Sequence, residues 1–150
     1  MEARALAARL AARHNTRDPF RIADDMGYIV VFVPLVDMRG FQQRARRRNI
    51  IYINQDLDEQ QRRLVCAHEL AHHLLHRGLN RVFMDHNTQI ITQKFESEAH
   101  LFSLELLFSD DDLQQFLNRS ISDAATYMGV SEHLASRRMG SVEPKLWQYV

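Results

Sequence analysis

The sequence is nearly without cysteine: Cys66 stands alone and cannot close an internal disulfide, which fits a reducing compartment. It also lacks an excess of either charge, with 19 Lys plus Arg against 19 Asp plus Glu. No overall field therefore draws it to nucleic acid or to an acidic membrane. No apolar run approaches the roughly 20 residues that span a bilayer. Five glycines and three prolines are scattered through 150 residues without forming a linker, and there is no repeat or low-complexity tract. Met1 to Arg13 is rich in Ala and Arg but lacks the serines of a transit peptide and carries Glu2. Its Leu6 and Leu10 stand at helical spacing, so it reads as a small amphipathic helix. The expectation is a cytoplasmic protein of one domain, with no membrane association.

What is present is an α+β pattern. Thr16 or Asp18 can cap a helix that takes Pro19 in its first turn and ends at Gly27. Tyr28 to Val33, Met38 to Ala45 and Ile50 to Ile53 read as three strands, with the basic run Arg44 to Arg48 turning between the last two. Asp56 or Asp58 opens a long helix to about His76. An irregular crossing segment is expected over 77–93, then a helix from about Phe95 to Leu107. Asp110 to Asp112 can cap a short helix through Leu117, and Ile121 to Met128, Gly129 to Ser131 and Glu132 to Met139 read as helix, turn, helix. The organisation expected is one domain over 1–150: an N-terminal helix (1–17), a core (18–108), a helical C-terminal part (109–139) and a tail (140–150). In this core, about three strands pack on the central long helix.

The residues that carry chemistry are His68-Glu69-Leu70-Ala71-His72. HExxH on a helix puts two imidazoles one turn apart on one face, the spacing needed to hold a zinc ion, with a carboxylate beside them. Leu64, Val65 and Leu75 flank the histidine face, while Cys66, Leu70 and Leu74 lie opposite. A helix apolar on both sides is buried. Buried imidazoles need a partner, and zinc supplies one. Glu69 is turned about 100° from His68, which suits a general base rather than a ligand.

A catalytic zinc keeps three protein ligands and one open position. Glu96 and Glu98 are the candidates for the third, and they lie nearly opposite each other on their helix. Glu98 shares its side with Phe95, Leu101 and Phe102 and looks core-directed, whereas Glu96 falls with His100 and Leu107. Pattern favours Glu98.

Residues 65 to 76, Val-Cys-Ala-His-Glu-Leu-Ala-His-His-Leu-Leu-His, resemble the zinc helix of the ImmA/IrrE metallopeptidases. Phe95 to Leu107 resembles that family's second signature, and Asp18 to Ala23 and Ile50 to Asn54 match in kind and order, so the resemblance covers about residues 18 to 138. It implies a small zincin-like fold, a zinc cofactor and Glu98 as third ligand. It also implies the substrate class, an intracellular protein, in particular a helix-turn-helix repressor of a phage or mobile element. The chain departs from the family where Asn or Asp is common (here His100), where Ala is common (Ser103) and where proline follows the Leu-Leu pair (here Phe108-Ser109).

His73, His76 and Tyr52 are candidates to line the cleft and to stabilise an oxyanion. Asp85 is a candidate to orient a ligand histidine. Cys66, opposite the ligands, belongs to the core, and His14, His86 and His133 read as surface or loop residues. The arginines of 44–48 read as a solvated tip. The helix-turn-helix look of 121–139, with Arg137-Arg138, raises the alternative of a non-catalytic, zinc-containing regulator that binds a repressor or DNA. Nucleic acid is disfavoured by Glu132 at the start of the second helix and by the neutral charge. An intact Glu69 also argues for the peptidase, since a binding module has no need of that base.

Overall fold

The structure, a computed structural model, describes the backbone of residues 2–75 and 88–145, and the side chains of all of these but 88–92. Its backbone contacts divide the chain into two compact units, 1–107 and 108–150. The first is an α+β domain with a small open mixed sheet packed against helices. No described helix is long and apolar enough to cross a membrane.

Helix α1 (Glu2–His14) buries Ala3, Ala7 and Leu10. Helix α2 (Pro19–Asp25) starts where Asp18 accepts a hydrogen bond from the Phe20 amide, and Pro19 occupies its first turn. Asp18 is thus the cap rather than Thr16. Gly27, at φ +82°, carries the chain out of the helix, a conformation that glycine adopts at no steric cost. Strand β1 (Ile29–Val33) pairs parallel with β3 (Arg48–Asn54), and β2 (Gly40–Ala45) pairs antiparallel with β3, giving the order β1-β3-β2. Arg46 and Arg47, both at positive φ, form the two-residue turn between β2 and β3. Every arginine from 44 to 48 is exposed, as expected of a solvated tip.

Residues alternate across the sheet. Ile51 and Ile53 of β3 are fully buried, and they meet Ile22 and Ala23 of α2 and Cys66, Ala67, Leu70 and Ala71 of α3 (Glu59–Leu75) in one core. Asp58 caps α3 by accepting from the Gln61 amide. Burying each such Leu or Ile stabilises the fold by about 1.5–3 kcal/mol.

Helix α4 (Thr88–Leu107) packs against both α1 and α3. It begins before the expected Phe95. Ile90, Ile91 and Thr92 are β-branched and weaken the local helix signal, but such propensities are easily overridden by tertiary context. Arg17 donates to the carbonyls of Glu105 and Leu106, each at 3.0 Å, closing the last turn of α4. Arg4 pairs with Glu105 at 2.8 Å and ties α1 to the same turn.

Gly40 lets α3 approach the sheet. A Cβ there would lie 2.5 Å from Val65 Cγ1 and 2.6 Å from the Tyr52 carbonyl oxygen. Backbone cannot swing aside as a flexible side chain does, so Gly40→Ala is expected to lower the melting temperature by about 5 °C or more. Thermal unfolding followed by circular dichroism checks this.

The second unit is helical. Its helix α5 (Asp110–Leu113) is capped by Ser109 in a reciprocal capping box with Asp112, and a 3-10 turn (Gln114–Phe116) follows. The cap is therefore Ser109 rather than the acidic run after it, because a serine just outside the helix can reach the Asp112 amide. Ser120 caps α6 (Ile121–Met128), Gly129 ends it at φ 74°, and Ser131 caps α7 (Glu132–Met139). Arg138 is 1% exposed and donates to the Phe108 carbonyl, to Asp110 and to the Ser141 hydroxyl. Half of the basic pair that suggested DNA contact is therefore internal scaffolding.

Candidate metal centre

Helix α3 supplies the first two donors because His68 and His72 stand one turn apart at its exit from the core. Their Nε2 atoms lie 3.1 Å apart. A carboxylate from α4 closes the group: Glu96 places Oε2 3.0 Å from His68 Nε2 and Oε1 2.8 Å from His72 Nε2. Ligands at tetrahedral corners around zinc stand about 3.3 Å from one another at ordinary zinc–nitrogen distances. The two imidazole nitrogens thus stand near that spacing, and Glu96 spans them with a different oxygen on each. Two imidazole nitrogens and one carboxylate are also the donor types zinc takes. The Nδ1 of His68 is buried and has no hydrogen-bond partner among the described residues.

The carboxylate that reaches both imidazoles is Glu96, where the sequence pattern and the resemblance favour Glu98. Glu98 lies about 200° further round the helix, half-buried. The reason is the double packing of α4. Ala99, Leu101, Phe102, Ser103, Leu104, Glu105 and Leu106 are all buried, so a core-directed side does not single out the face that meets α3.

Glu69 is 8% exposed. Burial raises its carboxyl pKa, an effect that the nearby histidine charges partly offset. Gln42 of β2 donates to the Glu69 carbonyl at 2.9 Å and to its carboxylate Oε2 at 3.3 Å. Sequence reasoning missed Gln42. The signal was there: Gly40 and Gln42 share one face of β2, so an amide stands on the side that packs against the HExxH helix.

His100, one turn beyond Glu96, stacks against His68 with ring centroids 4.4 Å apart and sets its Nε2 4.0 Å from Glu96 Oε2. Burial and the charge of His68 push its pKa down to about 4.

The expected lining residues part company. Tyr52 pairs with Phe41 and stacks on it at 4.6 Å, and its hydroxyl donates to Gln43. That is the sheet face away from Gln42 and α3, so Tyr52 does not reach the site: a strand's alternation sends it to the other side. His73 packs edge-on against Tyr28, toward the start of β1. His76 and Asp85 lie outside the described residues, as do His86 and residues 146–150 of the tail. Cys66 is fully buried, and burial pushes its thiol up to about 12, which makes it a core residue. His14, read as a surface or loop residue, meets Asp25 at 3.2 Å.

Metal-free protein carries a pH signature. Hydrogen bonds from His68 and His72 hold Glu96 well below its ordinary 4.5. Burial lowers the His72 pKa, but the hydrogen bond and charge of Glu96 outweigh it and raise the group above 6.5. The Glu96 contribution to stability is present above pH 4.5 and is lost as pH falls through its folded value. That of His72 is present below pH 6.5 and is lost as pH rises through its folded value. The stability difference between metal-free parent and Glu96→Gln is expected to peak between about pH 4.5 and 6.5 and to shrink as pH rises further, through the raised His72 value. Thermal melts in chelator across that range read it.

A mixed sheet, a buried helix bearing HExxH and a facing helix that brings a carboxylate to both histidines make a zincin-like arrangement with a group of side chains able to coordinate a metal ion. The chain belongs to the family of the IrrE N-terminal-like domain, whose model matches residues 23–139. It is 33% identical over 135 residues to Uncharacterized immunity region protein 2 of Bacillus phage phi105, a match covering 88% of this chain and 85% of that protein. It is 28% identical over 135 residues to Metallopeptidase ImmA of Bacillus subtilis (strain 168), covering 86% of this chain and 79% of that one. The ImmA/IrrE resemblance is thereby shown at the level of the family, and one of these two relatives is a phage protein.

Proposed function

We propose that this protein is a zinc-dependent endopeptidase of the cytoplasm whose substrate is a helix-turn-helix repressor of a phage or mobile element. The observation that carries the reading is the convergence of His68, His72 and Glu96 within 3.1 Å of one another, with Glu69 buried alongside. Zinc, when bound, supplies a Lewis acid that polarises the scissile carbonyl and brings water into nucleophilic range near neutral pH. His68, His72 and Glu96 hold it. Glu69 takes the proton from the attacking water and passes it to the leaving amide nitrogen. Gln42 fixes the Glu69 carboxylate from the sheet side, so the base does not have to be ordered during turnover. Burial favours a basic Glu69, which suits proton transfer near neutral pH.

The substrate class is supported by the family, by a relative named for the immunity region of a phage and by one named a metallopeptidase. The internal role of Arg138 weighs against reading α6 and α7 as a DNA-contacting pair.

The test is to incubate the zinc-loaded protein with the repressor encoded nearest its gene and to resolve the products by mass spectrometry. One discrete cut is expected, abolished by a chelator and restored by zinc. An intact repressor that nonetheless co-purifies with the protein would favour a non-catalytic regulator.

A further inference from the structure

The gap between α3 and α4 is built from two matched pairs. Helix α3 offers His68 and His72, four residues apart; α4 offers Glu96 and His100, also four apart, so each pair lies on one helix face. The donor atoms of His68, Glu96 and His100 all lie within 4.8 Å of one another. The His100 Nε2 is 4.0 Å from Glu96 Oε2, and its ring lies over that of His68 at an interplanar angle of 38°. Spacing between neighbouring ligands of a tetrahedral zinc is about 3.3 Å, so His100 falls short of a ligand position by under an ångström on the Glu96 side.

We propose that His100 is a fourth protein ligand, able to close the coordination position that a catalytic zinc leaves open. This rests on the metallopeptidase reading above and deepens it. Three protein ligands leave room for water, while four make a closed centre of the structural kind. His100 is half-exposed, so its side chain has room to swing out when a peptide enters. With His100 in, the site rests closed and holds its metal more tightly; with His100 out, the three remaining ligands form the open centre.

The test uses the full-length protein loaded with cobalt(II), which takes zinc's place and shifts the proton signals of its ligands. Each histidine bound through Nε2 contributes one exchangeable, strongly shifted Nδ1–H signal. The parent is expected to show three such signals and His100→Asn two, and the variant is expected to lose more metal affinity in chelator competition than the roughly 10–100-fold that losing a supporting residue costs. Two signals in both proteins would overturn the proposal and leave the metallopeptidase reading standing. A parent that binds no cobalt would overturn both. The parent count decides the matter even if the variant folds poorly.

Discussion

Glu69→Gln is expected to lower peptide-bond hydrolysis by about a hundred- to ten-thousand-fold, the usual contribution of a positioned general base. Zinc content and melting temperature should remain close to those of the parent. The substitution keeps the shape of a side chain that is 8% exposed, and it keeps the bond from Gln42 to the residue 69 carbonyl. It removes only the ability to take up a proton. Glu69 does not join the group formed by His68, His72 and Glu96, so metal binding is spared. Steady-state rates measured alongside metal analysis check both halves. A variant that cleaves at the parent rate would remove Glu69 from the mechanism.

Glu96→Ala is expected to weaken zinc binding by more than about a hundredfold, beyond the 10–100-fold that losing a supporting residue typically costs. Glu98→Ala is expected to bind zinc within about threefold of the parent, as a residue outside the ligand set should. The two glutamates differ in where the helix aims them. Glu96 presents one oxygen to each histidine, at 3.0 and 2.8 Å. Glu98 points some 200° away. Competition with a chromophoric chelator measures both variants on one scale. The opposite order, with Glu98→Ala the weaker binder, would mean that α4 is rotated so that Glu98, not Glu96, faces the two histidines.

How much of this was legible from the residues varies with how local the signal is. The helix of HExxH, its cap at Asp58, the Pro19 turn and the glycine stops at 27 and 129 are written in short stretches of chain. So are the three strands, whose β-branched runs lie within a few residues of the observed edges. The choice of Glu96 over Glu98 was not local. It depends on α4 being packed against both α1 and α3, a fact no helical wheel of α4 contains. The same holds for Gln42 and Tyr52, whose roles follow from which face of β2 and β3 meets α3. Alternation alone says they differ, not which one faces the site. His100 was legible as the residue one turn from Glu96, and its meaning changed once Glu96 took the site.

The metal centre is the claim on which everything else depends, and anomalous diffraction at the zinc edge from crystals of the zinc-loaded protein tests it most directly. The account predicts one strong peak between α3 and α4, about 2.0–2.2 Å from His68 Nε2, His72 Nε2 and a Glu96 oxygen. A peak held by Glu98 in place of Glu96, or no peak between these helices, would contradict it.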